Sequence, residues 1–331
     1  MIIPDRLAVT TQDAYNYSAS KVFADQQLCM VVKLSGRLDE NVLTKAILLS
    51  VDFEPVLGCR FVENHGNPFW ERRRDLNQVM ICLVVETVLP HKALEEFVNE
   101  PIHADLDPLV SVKIFREEEG DIVCIKMNHS VSDAGGLKEY VFLLSDLYTM
   151  LNTCGRSSIQ PNMGRRDQSQ IFQHTNYPAI IAMKEFPLPT WTFPQKEGEE
   201  PLHSFKVISQ ARFTAAKEYA HKRKATVNDV LLTALYRTLF AVNNISRDKP
   251  MIMQISIDLR RYLPEHRAEA ICNLSGALYV ALERRVGEPF EGTLERVCAS
   301  MNKLKQDFPG LESAAGLEYL FSQGSLIWKS T

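Results

Sequence analysis

The stretch Met127-Asn-His-Ser-Val-Ser-Asp-Ala-Gly-Gly136 decides how the rest of the chain is read. Before it, Ile122-Val-Cys-Ile-Lys-Met-Asn128 alternates like a strand, with Val123, Ile125 and Met127 sharing a face. After it, Leu137, Tyr140, Val141, Leu144, Leu147, Tyr148 and Leu151 recur at the three-and-four spacing of an amphipathic helix. The stretch is therefore a histidine at a strand end, then a tight turn with an aspartate and two glycines, opening into a helix. Polar clusters at strand-to-helix junctions are where α/β proteins commonly hold ligands. Gly135 and Gly136 would let backbone approach a substrate, and orphan N–H groups at the helix start would face developing negative charge. Histidine ordinarily titrates near about 6.5, which suits His129 to general-base work at neutral pH. Two other readings stand beside this one. His129 could be a satisfied core histidine with Asp133 a simple N-cap. The pair could also supply two ligands of a metal, although no HExxH-like cluster offers the rest.

Working outward, 111–116 also alternates, and Glu117-Glu-Glu-Gly-Asp121 joins it to the central strand as a β-hairpin. Asp39 reads as the N-cap of a helix with Val42, Leu43, Ala46 and Ile47 on one face, ending before Pro55. In the second half, Thr226 and Asp229 resemble a capping box. Val227, Val230, Leu231, Ala234, Leu235 and Leu239 form the apolar stripe behind it. Met251, Met253, Ile255, Ile257 and Leu259 alternate as a half-buried strand; a further strand is expected at 277–282 and a helix at 293–305. Between the halves, the Gly, Pro, Ser and charge of CGRSSIQPNMGRRDQSQ and LPTWTFPQKEGEEP mark a crossover. The class is α/β (α+β), with domains expected at 1–155 and 204–331 and a linker at 156–203.

A chain of 331 residues, 45% hydrophobic and 24% charged, can bury two cores and is not disordered. The net charge of −4 argues against a nucleic-acid backbone or an anionic membrane surface as main partner. It leaves room for a local phosphate pocket. Arg72-Arg-Arg74 and Lys222-Arg-Lys224 are short basic runs that read as solvated surface or as contacts to phosphate groups. The seven cysteines are scattered without a CxxC. The start lacks signal-peptide character, and no apolar run nears the ~18–20 residues of a membrane span. A cytoplasmic protein with reduced cysteines is expected.

His129-Ser-Val-Ser-Asp133-Ala-Gly135 resembles the HHxxxDG motif of the chloramphenicol-acetyltransferase-like superfamily, which includes nonribosomal-peptide condensation domains and alcohol acetyltransferases. Glu54-Pro-Val-Leu-Gly-Cys-Arg-Phe61, Thr226-Val-Asn-Asp-Val-Leu-Leu-Thr-Ala-Leu235 and Ser256-Ile-Asp-Leu-Arg260 resemble further family segments in the expected order. The resemblance covers nearly the whole chain and is nearest the alcohol acetyltransferase branch.

It implies a two-lobed sandwich with a channel between the lobes. The donor would be acyl-CoA or an acyl-phosphopantetheine arm, the acceptor an alcohol or amine, with no permanently bound cofactor and no metal. His129 would be the catalytic base, and Asp133 would be structural and paired with Arg260. Gly135 and Gly136 would support the loop, with Asn128, Ser132, Asn273 and Ser275 as channel candidates. For Asn273-Leu-Ser-Gly276 the plain reading is a turn. Consistently, there is no GxSxG elbow, and Cys124 reads as core rather than nucleophile.

The chain departs from the pattern in three places. Asn128 stands where the first histidine would be, and Ala134 follows Asp133 directly. No DFGWG-like segment precedes the end at Leu326-Ile-Trp-Lys-Ser-Thr331, so the second lobe is expected to be shortened. Exposed edges and apolar surface would then favour a homodimer, a partner chain or marginal stability, and an acyl carrier protein is a further expected partner. The function expected is CoA-dependent O-acyl transfer. The alternatives are a non-catalytic binding or scaffold module for acyl carriers or protein partners and, in third place, a metal-dependent hydrolase.

Overall fold

The computed structural model describes residues 3–22, 27–79, 81–154, 159–177, 206–243 and 249–322. The chain forms two compact units. The first comprises Met1–Asn176, Asp258–Leu274 and Leu317–Thr331; the second comprises Tyr177–Ile257 and Ser275–Gly316. This differs from a division at 155 and 204. Residues 159–176, rich in turn formers, belong to the first unit and are held there through Asn162, Arg166 and Gln170. Residues 258–274 join the same unit because their backbone and charged groups find partners there. Of the expected linker, 156–158 and 178–203 lie outside the described residues, as does 326–331.

The first unit runs β1 (Arg6–Ala8), α1 (Thr11–Val22), β2 (Gln27–Leu34), α2 (Glu40–Phe53), β3 (Cys59–Val62), β4 (Phe69–Arg72), β5 (Cys82–Val85), α3 (Pro90–Asn99), β6 (Val110–Arg116), β7 (Asp121–Asn128), α4 (Ala134–Cys154) and the short α5 (Ser169–Phe172). Asp39 caps α2, its carboxylate accepting the N–H groups of Asn41 and Val42 at 2.8 and 3.1 Å. Pro55 lies just beyond the end of α2. One sheet has the order β1-β4-β3, the other β2-β7-β6-β5. The hairpin is present, with Val112 opposite Ile125 and Ile114 opposite Val123.

Every residue of β7 is buried, because both faces of the strand are covered. Val123, Ile125 and Met127 join the main core with Leu43, Ile47 and Val51 of α2 and Leu137, Tyr140 and Leu144 of α4. Ile122 and Cys124 pack on the other face against Leu94, Phe97 and Val98 of α3. Burial there pushes the Cys124 thiol up to about 12, as befits a core residue. Lys126 shares that face and is 1% exposed. Its ammonium donates to the carbonyls of Phe97, at 2.6 Å, and Glu100 at the end of α3, where a cation complements the helix dipole.

The second unit holds α6 (Gln210–Lys222), α7 (Val227–Val242), β8 (Met251–Asp258), β9 (Ser275–Leu282), α8 (Phe290–Leu304) and the start of α9 (Leu311–Ser322). The capping box on α7 is complete: Asp229 N–H donates to Thr226 Oγ1 at 3.2 Å and Thr226 N–H to Asp229 Oδ2 at 2.8 Å. The expected apolar stripe is corrected. Leu231 and Leu235 are 57% and 48% exposed, whereas Leu232, Tyr236, Leu239 and Phe240 face Met251, Met253, Val280, Val297 and Met301. The α7 sequence carries apolar residues on two adjoining stripes, and the buried one includes the aromatics, which remove more apolar area from water. No helix among the described residues is long and apolar enough to cross a membrane.

Candidate active site

Strand β7 ends at Asn128, residues 129–131 turn, and α4 begins at Ala134. Asp133 is the organising residue. Its Oδ1 accepts the Gly136 N–H at 2.8 Å, which caps α4, and its Oδ2 accepts the Leu274 N–H at 2.7 Å. Arg260 Nη1 lies 2.9 Å from Asp133 Oδ1 and 3.0 Å from Oδ2. The guanidinium also donates to the Cys272 carbonyl at 3.0 Å, and its Nε is 3.2 Å from Glu139 Oε1. Burial opposes the charge of Arg260, but Asp133 and Glu139 outweigh it and hold the group charged.

The two glycines lie against the same segment. A Cβ on Gly135 would sit 3.0 Å from Arg260 Cζ, and one on Gly136 would sit 2.9 Å from the Cys272 carbonyl oxygen. At both positions a side chain would crowd 258–274 where it passes the start of α4. The Gly136 N–H is committed to Asp133 and is not an orphan donor.

Asn128 and Ser132 are buried and spent within the loop. Asn128 donates to the Ile102 carbonyl at 2.6 Å and accepts the Ser130 N–H, and Ser132 Oγ donates to the Asp133 carbonyl. Asn273 Nδ2 donates to the carbonyls of both His129 and Ser130 at 3.1 Å, holding the turn from the far side. Ser275 begins β9 in the second unit.

His129 is half-buried, and its ring makes no hydrogen bond among the described residues. Its Nδ1 is buried without a partner there. A satisfied core histidine would have both nitrogens placed. Among the described residues no three His, Cys, Asp or Glu side chains are grouped to hold a metal.

A second buried ion pair supports the loop and has no signature in the sequence. Arg166 grips Asp13 of α1 at 2.8 and 3.0 Å and donates to the carbonyls of Val131 and Ile271 at 3.1 and 3.0 Å. Trp70 Nε1 donates to the same carboxylate at 2.9 Å. Glu54, at the end of α2, accepts the Asn162 side chain at 2.7 Å and the Ile271 N–H at 3.2 Å. Burial pushes its carboxyl up to about 7.

No family model matches the sequence, and a search of curated proteins finds no match. Solved structures do match. The first condensation domain of the calcium-dependent antibiotic synthetase is 16% identical with a TM-score of 0.66, over 92% of this chain and 75% of that one. Polyketide synthase associated protein 5 from Mycobacterium tuberculosis is 14% identical, TM-score 0.63, over 97% and 76%. The epimerization domain from the third module of tyrocidine synthetase B is 14% identical, TM-score 0.62, over 98% and 77%. The chain has the condensation-domain fold.

Proposed function

We propose that the chain transfers an acyl group from a thioester to an alcohol or amine, with His129 as general base. The observation that carries this reading is the imidazole: Asn128, Ser132 and Asp133 are committed to holding the loop, while the His129 ring is committed to nothing among the described residues. The fold it shares with condensation domains supports the same class of chemistry.

His129 Nε2 takes the proton of the acceptor O–H or N–H as the acceptor's lone pair forms a bond to the thioester carbonyl carbon. The tetrahedral intermediate collapses by breaking the C–S bond, and the imidazolium returns its proton to the departing thiolate. A positioned base of this kind is worth roughly 10²–10⁴-fold; the rest comes from holding donor and acceptor together. Asp133, Arg260 and Asn273 act by fixing the turn.

The thioester would be carried by CoA or by a phosphopantetheine arm on a carrier protein; the solved neighbours include a four-domain nonribosomal peptide synthetase. Acyl-CoA and an acyl-loaded carrier protein, each offered with a panel of alcohols and amines, test the reading through thiol release. Turnover with one donor, reduced at least ~10²-fold in a folded His129→Ala variant, is expected. Undiminished turnover in that variant would overturn the assignment. Carrier binding with no turnover would make the chain a non-catalytic binding module.

A further inference from the structure

The sheet β1-β4-β3 of the first unit forms one wall of a cleft of about 640 Å³, within the size range of small-molecule sites. Five arginines line it: Arg6, Arg60, Arg72, Arg73 and Arg74. Three are held in place by the protein. Arg60 donates through Nε and Nη2 to Glu71 Oε2 at 2.9 and 2.7 Å. Arg72 pairs with Asp52 and donates to the carbonyls of Val51 and Pro55 at 2.7 and 3.1 Å. Gly58 leaves it room, since a Cβ there would collide with its guanidinium. Arg73 grips both oxygens of Asp75 at 3.0 and 2.9 Å and donates to the Leu106 carbonyl at 2.6 Å.

The other two are not spent. Arg6 lies opposite Glu71 across the β1–β4 ladder, but its guanidinium stacks over the Phe69 ring, 4.3 Å from the centroid, and has no carboxylate partner among the described residues. Stacking orients the fork while leaving its edge donors open. Arg74 has neither a hydrogen bond nor an ion pair among the described residues. Glu71, Asp52 and Asp75 answer Arg60, Arg72 and Arg73 one for one, which leaves Arg6 and Arg74 against Asp5 alone. The cleft is a preorganised cationic wall with two guanidinium forks open and an unbalanced positive charge.

We propose that this cleft binds the phosphate group of a phosphorylated small molecule, received by Arg6 and Arg74 against the fixed wall of Arg60, Arg72 and Arg73. Planar guanidinium forks match phosphate oxygens two at a time. The proposal is independent of the role of His129, because it concerns equilibrium binding at a different sheet.

Calorimetric titration of the full chain at low ionic strength with inorganic phosphate and with ADP tests it, with citrate as a carboxylate comparison. Saturable binding of at least one phosphate probe is expected, weakening with salt. It should fall roughly tenfold or more in the Arg6→Ala/Arg74→Ala variant, since charge-assisted bonds are lost. Arg285→Ala, at an exposed position in the second unit, should bind as the parent does. Arg74→Ala alone, at an exposed side chain, gives the same direction should the double variant lose its circular dichroism. The proposal is overturned if neither phosphate probe saturates, if the Arg6/Arg74 variants bind undiminished, or if citrate binds more tightly than both phosphates.

Discussion

Asp133 and Arg260 are 5% and 3% exposed at their side chains and compensate one another's charge in the interior. Arg260→Met would leave a buried carboxylate with no cation, a loss of about 3–5 kcal/mol. Adding Asp133→Asn to it should recover part of that loss, so urea unfolding of the two single variants and the double variant should give a clear coupling energy. Additive losses would mean that the pair does not act as a unit. Glu54 makes a prediction in pH. Its carboxyl is raised in the folded chain from 4.5 to about 7 by burial, against the hydrogen bonds from Asn162 and Ile271. The folded state therefore binds this proton more tightly than the unfolded state does. Its contribution is full below the unfolded value and lost as pH rises through the folded one. Glu54→Gln cannot ionise, so its stability relative to the parent should climb between about pH 5 and 8, by at most about 1.4 kcal/mol per pH unit. Urea midpoints across that range check it; a constant or falling difference would contradict the buried-carboxyl reading. Asp133 was legible locally as a helix N-cap, whereas its pairing with Arg260 was legible only through the family resemblance of their segments. Asp13 and Arg166 were not legible at all: they stand 153 positions apart, and Arg166 lies in a stretch whose Gly, Ser and charge read as linker.

At the scale of elements, α7 shows how far periodicity reaches. The capping box from Thr226 to Asp229 was legible because it is a local pattern that depends on no other part of the chain. Thr226→Ala should cost about 1 kcal/mol in unfolding free energy. Which apolar stripe turns inward is decided by the partners, and these come from β8, β9 and α8. Leu231 and Leu232 are adjacent leucines with opposite fates, 57% and 7% exposed. Leu232→Ala should cost about 2–5 kcal/mol, and Leu231→Ala should stay within about 0.5 kcal/mol. Equal losses at the two positions would mean that both stripes are covered. Strand β7 was legible through its alternation, with Val123, Ile125 and Met127 on one face, while the burial of its other face is supplied by α3. Lys126 within it carried no signal of burial in the sequence. Only the end of α3, brought over it by the fold, supplies the two carbonyls that let a lysine be buried there.

For the whole molecule, the feature that no local reading supplies is the return of 258–274 to the first unit, between two strands of the second. That passage is tied down at separate points: Arg260 to Asp133, the Ile271 N–H to Glu54, the Ile271 carbonyl to Arg166, and the Leu274 N–H to Asp133. Three of these four ties are made to Asp133 or Arg166, which hold the turn that carries His129. The cost of loosening one of them should therefore be local to the first unit. In Arg260→Ala, hydrogen exchange should accelerate at 133–137 and 259–274, because Asp133 loses its cation and the passage one of its anchors. The amides of α7 and α8, whose core is the separate cluster around Tyr236 and Val297, should keep their parent rates. Exchange measured by mass spectrometry separates the outcomes. Acceleration confined to the first unit means that the passage and the His129 turn open together as one cooperative element. Equal acceleration in α7 and α8 would mean that the chain unfolds as a single block and that Arg260 stabilises all of it.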